Sequence, residues 1–315
     1  MDDRLTITAS TKVLGIIGYP VAHSLSPAMH NAAFRSQGLD WVYLPLPVPP
    51  GKLADALRGL GALGMVGANV TVPYKESVAA ATATAAGTAA AAAAFGADCV
   101  EALTPEAELI GAVNVLGFKD GSLIGHNTDG TGFLQALQQD ARFTVKGNRV
   151  LILGAGGAAR AVALTLARHG AQRIGIANRT WQRAEELAQT VEQRTGTEAC
   201  GLPLDAADLA PWLRTADLVV QASSVGLHPD EETETLSWFD PSSLSSDALV
   251  CDLIYNPSPT RFLALAAARG CRTMDGLGML LYQGTQAYTW WTGREAPVAV
   301  MQQALLDGMA ALRKS

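Results

Sequence analysis

Basic residues are outnumbered in this chain: 23 Lys and Arg against 29 Asp and Glu leave a formal net charge of −6. There is no basic stripe to release counterions from a phosphate backbone, so nucleic acid is not expected as a partner. Cysteine is also scarce. Cys99, Cys200, Cys251 and Cys271 show no C-x-x-C or other metal-ligand spacing, and His23, His30, His126, His169 and His228 form no H-E-x-x-H or H-x-H pair. No metal site is expected, and the cysteines read as reduced, mostly buried thiols. The first residues lack the positive start and apolar middle of a signal peptide, since Asp2 and Asp3 lead into Thr-rich sequence. No apolar stretch is long and unbroken enough to span a bilayer. These absences describe an acidic, cytoplasmic protein without a membrane partner.

What is present is core-forming sequence: 49% of the 315 residues are hydrophobic and 17% charged, enough for more than one core. KVLGIIGYP reads as a buried strand ending in a loop, and SPAMHNAAFRSQGL as an amphipathic helix that Ser26 can cap, with Pro27 in its first turn and Gly38 at its end. Strand WVYLPLPV, helix KLADALRGLGALG and the strand and turn ANVTVPYK follow. This alternation predicts a parallel α/β sheet. Residues 77–97 are mostly alanine and read as a helical insertion or a disordered spacer. NTDGTGFLQALQQ then forms a long helix leaving this domain.

A second alternating unit starts at Asn148: strand NRVLILGAGG, helix AARAVALTLARHG, strand RIGIANRT, helix QRAEELAQTVEQR, and strands DLVVQAS and ALVCDLIYNP. It predicts a second parallel sheet, of the nucleotide-binding kind. The helical tail from Met279 is expected to return to the first domain. The expected fold is therefore two α/β domains: residues 1–128 with 276–315, carrying a mostly parallel sheet, and residues 129–275 for a dinucleotide.

The cofactor expectation rests on the turn after VLILG. Gly154, Gly156 and Ala159 stand in G-x-G-x-x-A order where a strand opens into a helix: a tight turn, a close backbone approach to pyrophosphate, and close packing of helix on strand. Gly154, Ala155, Gly156, Gly157 and Ala158 would present amide donors at the helix start. About 20 residues on, where NAD-binding proteins place an acid for the ribose, the chain reads Asn178, Arg179 and Thr180, with Arg183 one turn later. No carboxylate there repels a 2′-phosphate, and two guanidiniums with a hydroxyl suit one, which favours NADP. The competing account makes Arg179 and Arg183 a solvated pair with Glu185 and Glu186.

Three further fragments, HSLSP at 23–27, NVTVPYK at 69–75 and GAVN with NTDG within 111–130, join GAGGAAR, NRT and DGLGMLLYQ at 275–283. In this order they resemble the shikimate dehydrogenase family over nearly the whole chain, the alanine-rich stretch excepted. The resemblance implies Lys75 and Asp129 as the catalytic pair, and Ser24 and Ser26 for the substrate carboxylate. It implies Asn69, Thr71, Asn114 and Gln283 for ring hydroxyls, with Tyr255 at the substrate mouth. Leu253, where some members carry Met, and Gly276 complete the implied cofactor set. Departures are Val115 in place of a frequent Thr after GAVN and Gln221 in place of Asn near the expected nicotinamide pocket.

The chemistry reads the same way. Reducing a ring ketone puts negative charge on its oxygen, which asks for a positioned cation able to give a proton, and a carboxylate would orient that lysine. A small polyol acid asks for neutral hydrogen-bonding side chains, which these residues supply. Trp41, Tyr43, Trp290 and Trp291 have no motif support and read as packing. The alternatives are a quinate or dual quinate/shikimate dehydrogenase using NAD(P), and a non-catalytic ligand sensor, which would be expected to have lost Lys75 or Asp129. The expected partner is the small-molecule substrate, in a monomer or homodimer.

Overall fold

The computed structural model describes residues 7–82, 100–223, 225 and 236–312, so most of the alanine-rich stretch lies outside the described residues. The contacts divide the chain into Met1–Thr128 with Gln283–Ser315, and Asp129–Tyr282.

In the first unit, β1 (Lys12–Gly18), β2 (Trp41–Pro47), β3 (Gly67–Val70), β4 (Ala102–Leu103), β5 (Val115–Lys119) and β6 (Ser122–His126) form one sheet in the order β2-β1-β3-β5-β6-β4. β1 pairs in parallel with both β2 and β3, as expected. β5 instead runs antiparallel to β3 and to β6. For β5 and β6 the reason is local: Asp120 (φ 51°) and Gly121 (φ 87°) form a two-residue loop with both φ positive, the turn that matches strand twist in a hairpin. Helices α1 (Ser26–Ser36), α2 (Leu53–Ala62), α3 (Lys75–Ala80) and α4 (Pro105–Ile110) connect the strands.

Ser26 does not cap α1. Leu25 holds the cap position without a side-chain bond, and Ser26 is the first helical residue, its N–H donating to Ser24 Oγ at 3.3 Å. Ile17, Leu57, Val70, Val78 and Leu116 pack the core between the sheet and the α2 side.

The second unit opens with α5 (Asp129–Gln139). Its sheet holds β7 (Arg149–Leu153), β8 (Arg173–Asn178), β9 (Glu198–Pro203), β10 (Leu218–Gln221), β11 (Leu249–Asp252) and β12 (Arg272–Met274). The order is β12-β11-β10-β7-β8-β9 with every pairing parallel, so the direction of strand addition reverses between β7 and β10. That is the switch point at which open α/β sheets bind ligands. Helices α6 (Gly157–Arg168), α7 (Trp181–Thr195), α8 (Ala206–Leu213) and α9 (Arg261–Ala268) serve as crossovers. β9, α8, α9 and β12 are additions to the expected elements, and α8 and α9 begin at Asp205 and Thr260, whose side chains accept first-turn N–H groups.

Helices α10 (Leu277–Thr292) and α11 (Val298–Leu312) end the chain, and α11 packs on α1. The division falls inside α10 rather than at 276, because the Tyr282 hydroxyl ties its first turns to Asp140 Oδ1 at 2.9 Å. No helix among the described residues is long and apolar enough to cross a membrane.

His30 is enclosed on α1, stacked on Tyr43 with ring centroids 4.6 Å apart and edge-on to Trp291 at 5.5 Å. Among the described residues neither ring nitrogen has a hydrogen-bond partner, and burial holds the imidazole pKa down to about 3. The folded protein thus keeps His30 neutral, whereas the unfolded chain protonates it below about 6.5. Its contribution is present above that pH and is lost as pH falls toward 3, at about 1.4 kcal/mol per pH unit. His30→Leu removes the titration at similar volume. Its Tm relative to the parent is expected to rise steadily from pH 7 to pH 5, and a constant difference across that range would contradict the assignment.

Candidate active site

In the first unit the implied substrate residues come together at one edge of the sheet, because β1 and β3 end there and β5 begins there. Asn69 sits opposite Val115 in the antiparallel register, which brings the preceding residue, Asn114, beside Val70. The Asn114 carbonyl accepts from Val70 N–H at 2.9 Å and from Asn69 Nδ2 at 3.0 Å. Both donors of the Asn114 amide are engaged, one with Thr128 Oγ1 at 3.0 Å and one with Gln283 Oε1 at 3.2 Å, and its Oδ1 accepts from Thr128 N–H at 2.8 Å. Asn69, Asn114, Thr128 and Gln283 are all buried.

Around this cluster, Ser24 and Ser26 follow β1, and Thr71 follows β3 with its N–H donating to the Ile17 carbonyl at 2.9 Å. Lys75 opens α3, half-buried, and its carbonyl accepts from Val113 N–H at 2.9 Å. The ends of β1 and β3, the start of α3 and the start of β5 therefore bring these residues' backbones together. Thr128 is a member that residue-by-residue reading missed, although it lies inside the NTDG motif.

Asp129 and Tyr255 belong to the second unit: Asp129 is buried at the start of α5, and Tyr255 is half-buried in the loop after β11. The glycine turn also lies here. Gly154 has φ +122°, and a Cβ on it would stand 2.9 Å from the Ala222 carbonyl carbon, so only glycine fits. Gly156 precedes α6 and no side chain caps that helix, which leaves the amide face of Gly157, Ala158 and Ala159 to the turn itself. Buried Ala159 lets α6 lie close to β7.

At the end of β8, Asn178 Nδ2 donates to the Thr180 carbonyl at 3.0 Å, and Thr180 precedes α7 without using its hydroxyl as a cap. Arg183 reaches back to the Ala155 carbonyl at 3.3 Å, joining α7 to the glycine turn. There is no acidic residue in the first turn of α7, and Glu185 turns away to accept from Gly201 N–H at 3.3 Å. Leu253 N–H donates to the Gln221 carbonyl at 2.9 Å, and Gly276 lies against the Leu253 carbonyl with no room for a side chain.

Gln221 is fully buried and folds its amide into its own loop. Its Nε2 donates to the Val225 carbonyl, and its Oε1 accepts from the N–H and hydroxyl of Ser223, all at 3.0 Å. Next to it, Asp252 accepts from Ile254 N–H at 3.0 Å and from the Thr260 hydroxyl at 2.8 Å. Burial outweighs these bonds and pushes its pKa up to about 7.

A switch-point sheet carrying a glycine turn, together with a second α/β unit that holds a buried amide and hydroxyl cluster, defines the class: a two-unit, dinucleotide-dependent oxidoreductase of a small polar substrate. Family models describing the shikimate dehydrogenase substrate binding domain, shikimate / quinate 5-dehydrogenase and the shikimate 5'-dehydrogenase C-terminal domain match residues 16–97, 136–237 and 276–306. A Methanopyrus kandleri protein named shikimate dehydrogenase (NADP(+)) is 46% identical over 98% of this chain and 99% of its own. A crystal structure of a shikimate dehydrogenase in complex with NADP+ is 39% identical with a TM-score of 0.82, covering 96% of this chain and 98% of its own. The Thermus thermophilus enzyme, in complex with NADP(H) and shikimate, is 35% identical with a TM-score of 0.76, covering 94% and 99%. The chain belongs to the shikimate dehydrogenase family.

Proposed function

We propose that this protein catalyses the reversible, NADPH-dependent reduction of 3-dehydroshikimate to shikimate, in the cytoplasm and on the route to chorismate and the aromatic amino acids. The observation that carries the reading is the rim of the first sheet, where Asn69, Asn114, Thr128 and Gln283 form a connected, buried hydrogen-bonding cluster beside Lys75. Such a rim suits a small ring acid whose identity lies in its hydroxyls.

The residues at the switch point fit a dinucleotide: Gly154 cannot carry a side chain, and α6 starts without a side-chain cap. Ala155, Gly156, Gly157 and Ala158 would hold the pyrophosphate. Arg179, Thr180 and Arg183, with Asn178 shaping their turn, would hold the 2′-phosphate, and Leu253 and Gly276 would face the nicotinamide. Bound NADPH supplies the hydride.

The chain's own residues supply the rest. Ser24 and Ser26 bind the carboxylate; Asn69, Thr71, Asn114 and Gln283 orient the ring; Tyr255 is assigned to the substrate mouth. Lys75 stabilises the charge that grows on the carbonyl oxygen and delivers a proton to it, and Asp129 is its partner in proton transfer.

Initial rates of the purified protein with shikimate and quinate, each against NADP+ and NAD+, test the activity. The highest kcat/KM is expected for shikimate with NADP+, and a preference for quinate or NAD+ would overturn it. Lys75→Ala is expected to lower kcat at least ~100-fold with a smaller change in KM, as when a contact forms chiefly in the transition state. Near-normal turnover would remove Lys75 from the chemistry. Arg179→Asp is expected to raise the KM for NADPH about 10- to 100-fold, the worth of a charge-assisted hydrogen bond, and to leave the KM for NADH little changed. Equal effects on both cofactors would discredit the 2′-phosphate assignment.

A further inference from the structure

Tyr43 reads as packing in the sequence, and its ring does pack, between His30 and Trp291. Its backbone is clamped as well: Asn31 Nδ2 donates to the Tyr43 carbonyl at 2.9 Å, and Tyr43 N–H donates to Asn31 Oδ1 at 2.8 Å. The hydroxyl of this fixed ring donates to Asn69 Oδ1 at 2.6 Å.

The direction of that bond follows from the other end of the amide. Asn69 Nδ2 lies 3.0 Å from the carbonyl of Asn114, which can only accept. The opposite amide orientation would set two acceptors against each other, so Oδ1 faces Tyr43 and the phenol must be the donor. Burial raises the phenol pKa well above its usual value, so it keeps its proton at every working pH. With Oδ1 held by Tyr43 and one N–H held by Asn114, Asn69 has one N–H without a partner among the described residues.

We infer that Tyr43 is a specificity-determining positioning residue: its hydroxyl locks the Asn69 amide so that the remaining N–H is offered to a hydroxyl oxygen of the ring acid. The inference rests on the reading of Asn69 as a substrate group. Without the phenol hydroxyl, the buried Oδ1 loses its donor, and the amide can turn.

A double-mutant cycle on the full-length protein tests this. Tyr43→Phe keeps the ring and its stacking on His30. It is expected to raise the KM for shikimate about tenfold, with the KM for NADP+ unchanged within twofold and kcat little altered. Asn69→Ala is expected to raise the KM for shikimate at least as much. In the Asn69→Ala background, Tyr43→Phe is expected to add less than a twofold change, because the group it orients is gone. Equal effects of Tyr43→Phe in the two backgrounds would overturn the inference, as would a normal KM in Tyr43→Phe beside a damaged Asn69→Ala. Asn69→Ala with a normal KM would overturn both this inference and the substrate role of Asn69. If the parent itself fails to turn over shikimate with NADP+, the proposed activity fails, which is a result distinct from any difference among the variants.

Discussion

The carbonyl of Asn114 accepts two hydrogen bonds, one from the backbone of Val70 and one from the side chain of Asn69, and the first unit's rim is organised around that oxygen. The backbone bond continues the antiparallel pairing of β3 and β5 one residue past the last ladder pair, so it fixes where the hairpin meets the end of β3. The side-chain bond then uses that fixed oxygen to orient an amide. A shift of β5 by one residue would turn Asn114 to the other face and separate Asn69, Thr128 and Gln283 together. The cluster therefore depends on strand register before it depends on any single side chain, and a buried polar group left without its partner costs about 1–3 kcal/mol.

The second unit solves a different problem with less side-chain chemistry. Its C-terminal edge is a row in which Ala177, Leu153, Gln221 and Asp252 stand side by side on neighbouring strands, and the chain leaves the sheet just beyond each. The turns that follow are held largely by backbone geometry: Gly154 by the absence of a side chain against Ala222, and Gly276 by the same economy against Leu253. Gln221 and Asp252 each consume their hydrogen-bonding capacity on their own loops. Their polarity is spent on shape. The Asn-to-Gln departure at 221 thus lengthens the reach of a side chain that ties β10 to the loop after it.

Much of this was legible from residues. The glycine turn, the NRT segment and the alternation of strands and helices from Asn148 onward all locate real elements, because β-rich apolar runs followed by glycine leave the chain few options. The antiparallel hairpin was legible too, in Asp120 and Gly121 between two apolar runs, but the stronger rhythm of alternating strand and helix masked it. Ser26 before Pro27 suggested a cap, and the helix instead starts one residue earlier, so that Ser26 is buried at its first turn. β9 and β12 escaped reading because both are only partly apolar and β12 is three residues long, and such strands gain their identity from the neighbour they pair with. The partners of Tyr43 could not be read at all: its hydroxyl meets a residue 26 positions away, and no local pattern encodes that contact.

Discrimination in such a site follows from saturation. The amides of Asn69 and Asn114 are held by neighbouring groups, so the Asn69 amide is presented in a single orientation. A ligand with a hydroxyl where the rim has a donor completes the network. One lacking it leaves a buried polar group unpaired, a penalty that a site built only of apolar contacts cannot impose. On the proposed reading of the rim as the substrate site, selectivity between ring acids that differ by one hydroxyl depends on how rigidly the amides are held. That rigidity comes from the aromatic wall of His30, Tyr43 and Trp291, from the Asn31 clamp on β2 and from the hairpin register. The neutral imidazole of His30, without a hydrogen-bond partner among the described residues, fits the same logic: within this wall it acts as a flat apolar plate against Tyr43, and burial keeps it uncharged.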